Sequence, residues 1–198
     1  MHARGKQSRV VLAEAGGSVR FFETKLSGAW LIEPEPIVDE RGSFMRTFCA
    51  RELGERGLET RFVQNSQSEN SFKGTLRGMH FQLAPHAEVK LVSCIRGAIY
   101  DVIIDLRPSS PSRYKWAGFE LTSQNRRQLY IPAGFAHGFQ TLTDDTGVSY
   151  LISEFYARQA SVGVRFDDPA FGIDWPMAPT AMSDKDRNWP LLQDFVHA

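Results

Sequence analysis

Short runs rich in β-branched and aromatic residues recur along this chain, and they limit its fold more than any other feature. They read AWLIEP, SFMRTF, FVQNSQS, KLVSCI, AIYDVIIDL, KWAGFEL, QLYIP, GFQTL and VSYLISEFY. Turn-forming pieces separate them: RG, RPSSPS, SQN, PAG and DDTG. Many short strands at this spacing predict an all-β sandwich or barrel. Helix signals are scarce. ARELGERGLET (50–60) predicts a short helix stopped by Gly57, and the tail near Leu191–Phe195 predicts another. The helices are therefore peripheral.

At 198 residues, the chain suffices for one domain with a sizeable core, taken as residues 24–198. Residues 1–23 are basic, and their apolar VVLA is too short for the core of a signal peptide before Glu14 interrupts it. They are read as an N-terminal extension, mobile and available for assembly. No apolar run approaches the roughly 20 residues that cross a bilayer, so no membrane partner is expected. Lys plus Arg and Asp plus Glu balance at 23 each, which leaves no general field for nucleic acid. An anionic ligand needs a local basic pocket instead. Cys49 and Cys94 form neither a metal spacing nor a disulfide framework, which suits a reducing cytoplasm.

One stretch breaks the apolar pattern. GTLRGMHFQ (74–82) carries Arg77 and His80 inside a strand-like run. Residues three apart on a flat strand face opposite ways, so the two converge only across a bulge, which Gly78 permits. Two hairpins are also predicted. KLVSCI-RG-AIYDVI has a two-residue connection, which pairs Ile95 with Ala98 and Val92 with Asp101. Lys90 and Asp101 then become diagonal neighbours on a mostly apolar face, either as a buried structural pair or as part of a ligand site. In the second hairpin a DDTG loop sets Thr141 opposite Tyr150. His137, Phe139, Thr141, Tyr150 and Ile152 then share a face.

The spacing PAGFAH (132–137) matches the PxGxxH of the second cupin motif, and GTLRGMH fits the start of the first. Metal-binding cupins use an HxH pair, but here Gln82 stands at the second histidine. His86 and Glu88 are the nearby spares, at displaced positions. His80 and His137 alone are too few for a stable transition-metal site, so no metal is expected. The remaining polar set is His80, His137, Lys90, Arg77, Asp101 and Tyr150. Imidazole suits general base work near neutral pH, tyrosine can return a proton, and lysine can stabilise an oxyanion. With no nucleophilic Ser or Cys motif, this set predicts proton transfer next to a carbonyl. Neither GxGxxG nor GxxxxGK[ST] is present, so dinucleotide redox and P-loop chemistry are not expected.

Several blocks in order resemble the dTDP-4-dehydrorhamnose 3,5-epimerase family. They are DERGSF (39–44), LRGMHFQ (76–82), PHAEVKLV (85–92), AIYDVIIDLRPSSP (98–111), RRQLYIPAGFAHGF (126–139), DDPAFGIDWP (167–176) and MSDKD (182–186). The resemblance implies a cupin-type antiparallel jelly-roll barrel, without metal or cofactor, assembled as a homodimer that exchanges strands. It implies epimerisation of a nucleotide-linked 4-keto-6-deoxy sugar. By the same resemblance His80 is the base, Asp186 orients it, Tyr150 is the acid, and Lys90 holds the C4 oxygen. Arg77, Arg41 and Lys185 meet the diphosphate. Gln64, His137 and Asp101 shape the pocket, Tyr156 stacks on the base, and Phe44 joins Arg41 in the substrate-binding set.

Three positions depart from the family pattern. Ser43 stands where an aromatic is usual, and Arg46 where a glutamate is usual. Gln64-Asn65-Ser66 replaces the common Gln-x-Asn. These departures leave open the base, the sugar and the number of inverted centres, with a 3- or 5-monoepimerase as the near alternative. A metal-dependent cupin enzyme and a non-catalytic sugar-nucleotide binder are the more distant ones.

Overall fold

The structure is a computed structural model that describes residues 17–196. Two antiparallel sheets face each other. The larger has six strands in the order β1 (Val19–Glu23), β2 (Trp30–Pro34), β10 (Gln128–Ile131), β7 (Lys90–Arg96), β12 (Thr146–Ile152) and β5 (Gln64–Asn70). The smaller runs β13 (Ser161–Gly163), β6 (Leu76–Gln82), β11 (Phe135–Thr141), β8 (Ala98–Asp105) and β9 (Trp116–Thr122). A separate ribbon pairs β3 (Ile37–Asp39) with β4 (Gly42–Phe44). Among the described residues three short helices lie outside: α1 (Ala50–Gly54), α2 (Asp184–Arg187) and α3 (Leu192–Val196). This is the expected cupin-type jelly roll with peripheral helices. β1 falls within the segment read as an extension and pairs with β2 along its length. The rest of that segment, before residue 17, lies outside the described residues.

The side-chain alternation of each strand explains the layering. Val92, Cys94, Leu129, Ile131 and Val148 face inward from the large sheet. They meet Ile99, Ile103, Leu121, Phe135 and Phe139 from the small one. The intervening residues Val102, Ile104, Met79 and Phe81 face outward and are covered by Val164 and Phe171 from the C-terminal segment. The small sheet is thus buried on both faces, which is why AIYDVIIDL is almost continuously apolar. Gln140, fully buried, fastens that covering segment by donating to the Met177 carbonyl and accepting from its N–H. Outside the large sheet, α1 sets Leu53 over Ile32, Leu91 and Tyr130.

Neither predicted hairpin forms. β7 pairs with β10 and β12, whereas β8 pairs with β11 and β9 in the other sheet. β11 and β12 are likewise in opposite sheets, so Thr141 lies opposite Ile99 and Tyr150 opposite Val92 and Ser66. For the first hairpin the reason is the corner at Arg96-Gly97. Gly97 has φ +75, and a Cβ there would sit 2.5 Å from the Thr143 hydroxyl. Only glycine lets the chain turn sharply from one sheet into the other at that point. Inward facing was read correctly even so. Val92 and Cys94 share one core cluster with Ile99 and Ile103, across the barrel rather than along a hairpin.

Candidate active site

β6 carries the bulge that brings Arg77 and His80 together. His80 lies opposite His137 and Arg77 opposite Phe139, so the span Arg77–His80 on β6 is matched by the shorter His137–Phe139 on β11. The extra residue resets the alternation and points both side chains the same way. Gly78 makes this possible. Its φ is +154, and a Cβ on it would lie 2.6 Å from the Gly138 Cα. Both side chains line one cavity of about 460 Å³ between the two sheets.

Lys90, Tyr150, His137, Gln64, Tyr156, Lys185 and Asp186 line the same cavity. Asp101 stands directly behind it, through His137. Arg41 and Phe44 do not reach it. They sit on the β3–β4 ribbon, where Arg41 pairs with Asp39 at 2.5 Å and Phe44 is 65% exposed.

His80 donates from Nε2 to Asp186 Oδ1 at 2.6 Å, since a carboxylate can only accept. Nδ1 is thereby left for the cavity. Asp186 is buried on α2, whose start is capped by the Ser183 hydroxyl accepting from the Asp186 N–H at 3.1 Å. Burial by itself would raise the Asp186 carboxyl. Hydrogen bonding and charge at His80, then the Gly78 N–H, outweigh it and hold the group below the ordinary carboxylate value. His80 therefore faces a carboxylate and not a neutral acid. Its ring also meets the Trp189 edge, with centroids 6.0 Å apart.

Tyr150 comes from β12 in the facing sheet. Its ring meets the His137 edge at 6.3 Å, and its hydroxyl is 3.0 Å from the Ser68 hydroxyl. Burial raises the phenol well above its ordinary value, against the opposing effect of the Ser68 hydrogen bond, and the Asp101 charge adds to the rise. The group is a neutral phenol at neutral pH. His137 donates from Nε2 to Asp101 Oδ1 at 2.7 Å; both are buried, and among the described residues Asp101 Oδ2 has no partner.

Lys90 does not pair with Asp101, as the mistaken hairpin implied. Its ammonium meets Glu88 Oε1 at 2.6 Å, and Glu88 Oε2 accepts from the Gln82 amide. Gln82 also donates to the His86 and Phe155 carbonyls and accepts from the Ala157 N–H, so its amide is fully used where metal cupins place a histidine. Among the described residues no three His, Cys, Asp or Glu side chains are grouped to hold a metal ion. Glu88 was missed as a site residue; its spacing of two from Lys90 on extended chain was the available signal. Ser66 lines the cavity, whereas Arg46 pairs with Glu52 at 2.9 Å and Ser43 accepts from Arg126. A second hollow of about 350 Å³ lies over the outer face of the large sheet, near Ser93, Gln128 and Met45, and contains no histidine.

Residues 23–194 match the family model described as dTDP-4-dehydrorhamnose 3,5-epimerase. The chain belongs to that family. A curated dTDP-4-dehydrorhamnose 3,5-epimerase of Methanothermobacter thermautotrophicus is 47% identical over 178 residues, covering 88% of this chain and 95% of the relative. The crystal structure of a Bacillus anthracis family member with TDP and PPi bound superposes with a TM-score of 0.86 at 42% identity. It covers 88% of this chain and 100% of that one. A 3'-monoepimerase from Streptomyces bikiniensis, in complex with dTDP-quinovose, has a TM-score of 0.82 at 32% identity over 88% of each chain. The protein is thus an isomerase, a carbohydrate epimerase of the dTDP-4-dehydrorhamnose 3,5-epimerase type. Among the described residues no helix is long and apolar enough to cross a membrane.

Proposed function

We propose that this epimerase inverts C3 and C5 of a nucleotide-linked 4-keto-6-deoxy sugar, with dTDP-4-dehydro-6-deoxy-D-glucose as substrate and dTDP-4-dehydro-L-rhamnose as product. The observation that carries this reading is the placement of His80 and Tyr150 on facing sheets of one cavity. A base on one wall and an acid on the other are what inversion at carbon requires. His80 Nδ1 takes the proton next to the C4 ketone. Asp186, ionised behind the ring, stabilises the imidazolium. Lys90 donates to the C4 oxygen as it becomes an enolate, in a site where a fixed cation is worth more than in water. The neutral Tyr150 phenol returns a proton to the other face.

Arg77 and Lys185, cations on the cavity wall, meet the diphosphate. Gln64, His137 and Asp101 shape the sugar end, and Tyr156 stacks on the base. Gln64 accepts from the Tyr156 N–H at 3.0 Å, which ties these two together. Arg41 and Phe44 serve the neighbouring protomer's cavity in a homodimer with exchanged strands. The free thiols Cys49 and Cys94 fit a cytoplasmic setting.

A second reading, inversion of one centre only or of another nucleotide sugar, draws on Ser66. It lines the cavity with a short hydroxyl where the family commonly has an amide. Incubation with dTDP-4-dehydro-6-deoxy-D-glucose in deuterium oxide, followed by NMR at C3 and C5, tests both. Deuterium at both carbons with the rhamno product is expected. Deuterium at one carbon supports the single-centre reading, and none at either rejects the epimerase assignment for this sugar.

A further inference from the structure

Each inversion in the proposed reaction leaves His80 with one proton too many and Tyr150 with one too few. The His80 side chain is 40% exposed and can release its proton to water. Tyr150 is placed otherwise. Its ring packs against the barrel core and the His137 edge. Among the described residues its hydroxyl has a single hydrogen-bond partner, the Ser68 hydroxyl at 3.0 Å.

The surroundings of Ser68 leave its proton free to point at Tyr150. Arg77 Nε donates to Asn70 Oδ1 at 2.7 Å, and a guanidinium can only donate. The Asn70 amide nitrogen therefore faces away from Arg77, toward the Thr146 carbonyl at 3.0 Å and Ser68 Oγ at 3.4 Å. An amide N–H₂ also only donates, so Ser68 Oγ accepts there and its one O–H is free to point at Tyr150. Ser68 lies on β5, the edge strand of the large sheet, and is half-buried, with one side toward solvent.

We propose that Ser68 is the relay through which Tyr150 regains its proton after each inversion. The Ser68 O–H bond breaks as the proton passes to the Tyr150 phenolate oxygen. In the same step Ser68 Oγ takes a proton from a water at the β5 edge, leaving hydroxide. The proton released by His80 neutralises that hydroxide, so no proton is gained or lost per turnover. This rests on the reading of Tyr150 as the acid.

Quenched-flow measurement with dTDP-4-dehydro-6-deoxy-D-glucose, first with enzyme and then with substrate in excess, tests it in Ser68→Ala, Ser68→Thr and Tyr150→Phe. In Ser68→Ala the first inverted centre per active site is expected at near the unmodified rate. Later turnovers fall about 10- to 100-fold, at or below the lower end of general acid–base contributions. Ser68→Thr keeps a hydroxyl and restores the later turnovers. Equal slowing of first and later turnovers in Ser68→Ala would mean that Ser68 only orients the phenol, and would overturn the relay. An unchanged steady state would overturn it as well. Normal inversion by Tyr150→Phe removes the acid assignment itself, so the two failures are told apart.

Discussion

In the proposed mechanism His80 and Tyr150 divide one reaction between two side chains, and single substitutions separate their shares. Replacing His80 with Ala or Asn is expected to slow solvent exchange at C3 and C5 by about 10²- to 10⁴-fold, the usual range for a positioned base. Circular dichroism should show a folded protein, because the half-exposed ring carries little of the core. Asp186→Asn should lose less, since it removes charge support but not the acceptor nitrogen. Exchange at near the unmodified rate in His80→Ala would remove the base assignment. Tyr150→Phe keeps the ring but loses the proton, so exchange should persist in part while net inversion slows much further. Deuterium incorporation and product formation, measured on one sample, read both. Residue types made most of this set legible: histidine, tyrosine and lysine inside apolar runs are costly unless used. Glu88, weighed in the sequence only as a displaced metal ligand, was not legible as the partner of Lys90, because that pairing exists only once the fold buries the two together.

At the scale of elements, the strands were readable and their neighbours were not. Alternation states which side chains face inward, and here it did so for β7, β8 and β11. It does not state which strand lies alongside, and a two-residue Arg-Gly link serves a corner between sheets as well as a hairpin. The bulge in β6 was readable only as a permission given by Gly78. Its fit depends on Gly138 across the ladder, where a Cβ would meet Met79 Sδ at 2.6 Å and the Arg77 carbonyl at 2.8 Å. Gly138→Ala must push β6 away, at a cost of about 1–3 kcal/mol for overpacking. It should also lower activity, because Arg77 and His80 flank the displaced backbone. Chemical denaturation and turnover assays should fall together; an active, fully stable variant would show that the bulge tolerates the methyl.

The end of β8 offers a cleaner electrostatic test. Asp105 is wholly buried, and its burial opposes the charge. Arg107, then Ser110 and Ser112, outweigh this and bring the carboxyl from its ordinary 3.8 down to about 2. A depressed carboxyl stabilises the fold above the unfolded value and loses that contribution as pH falls through the folded one. The stability gap between the unmodified chain and Asp105→Asn should therefore be full above pH 3.8 and close as pH falls toward about 2. Thermal melts across that window give the answer, and a gap that stays constant through it would contradict the assigned shift.

For the whole molecule, the unplaced piece is the β3–β4 ribbon. A two-stranded hairpin alone is at best marginally stable in water. This one exposes Ile37 at 49%, Val38 at 70% and Phe44 at 65%, outside both main sheets. Apolar surface of that kind marks a contact with another molecule, and in the proposed homodimer that molecule is a second copy of the chain. In a two-fold dimer each ribbon would reach the other protomer's cavity, so Arg41 and His80 would meet one substrate from different chains. Arg41→Ala and His80→Ala would each be nearly inactive alone. Co-expressed at equal levels, half the dimers would be mixed, each with one intact site of two, and activity should return to about a quarter of the unmodified level. Light scattering should report a dimer for every combination. An active monomer, or mixed chains no better than either variant alone, would place Arg41 outside the site it is proposed to complete.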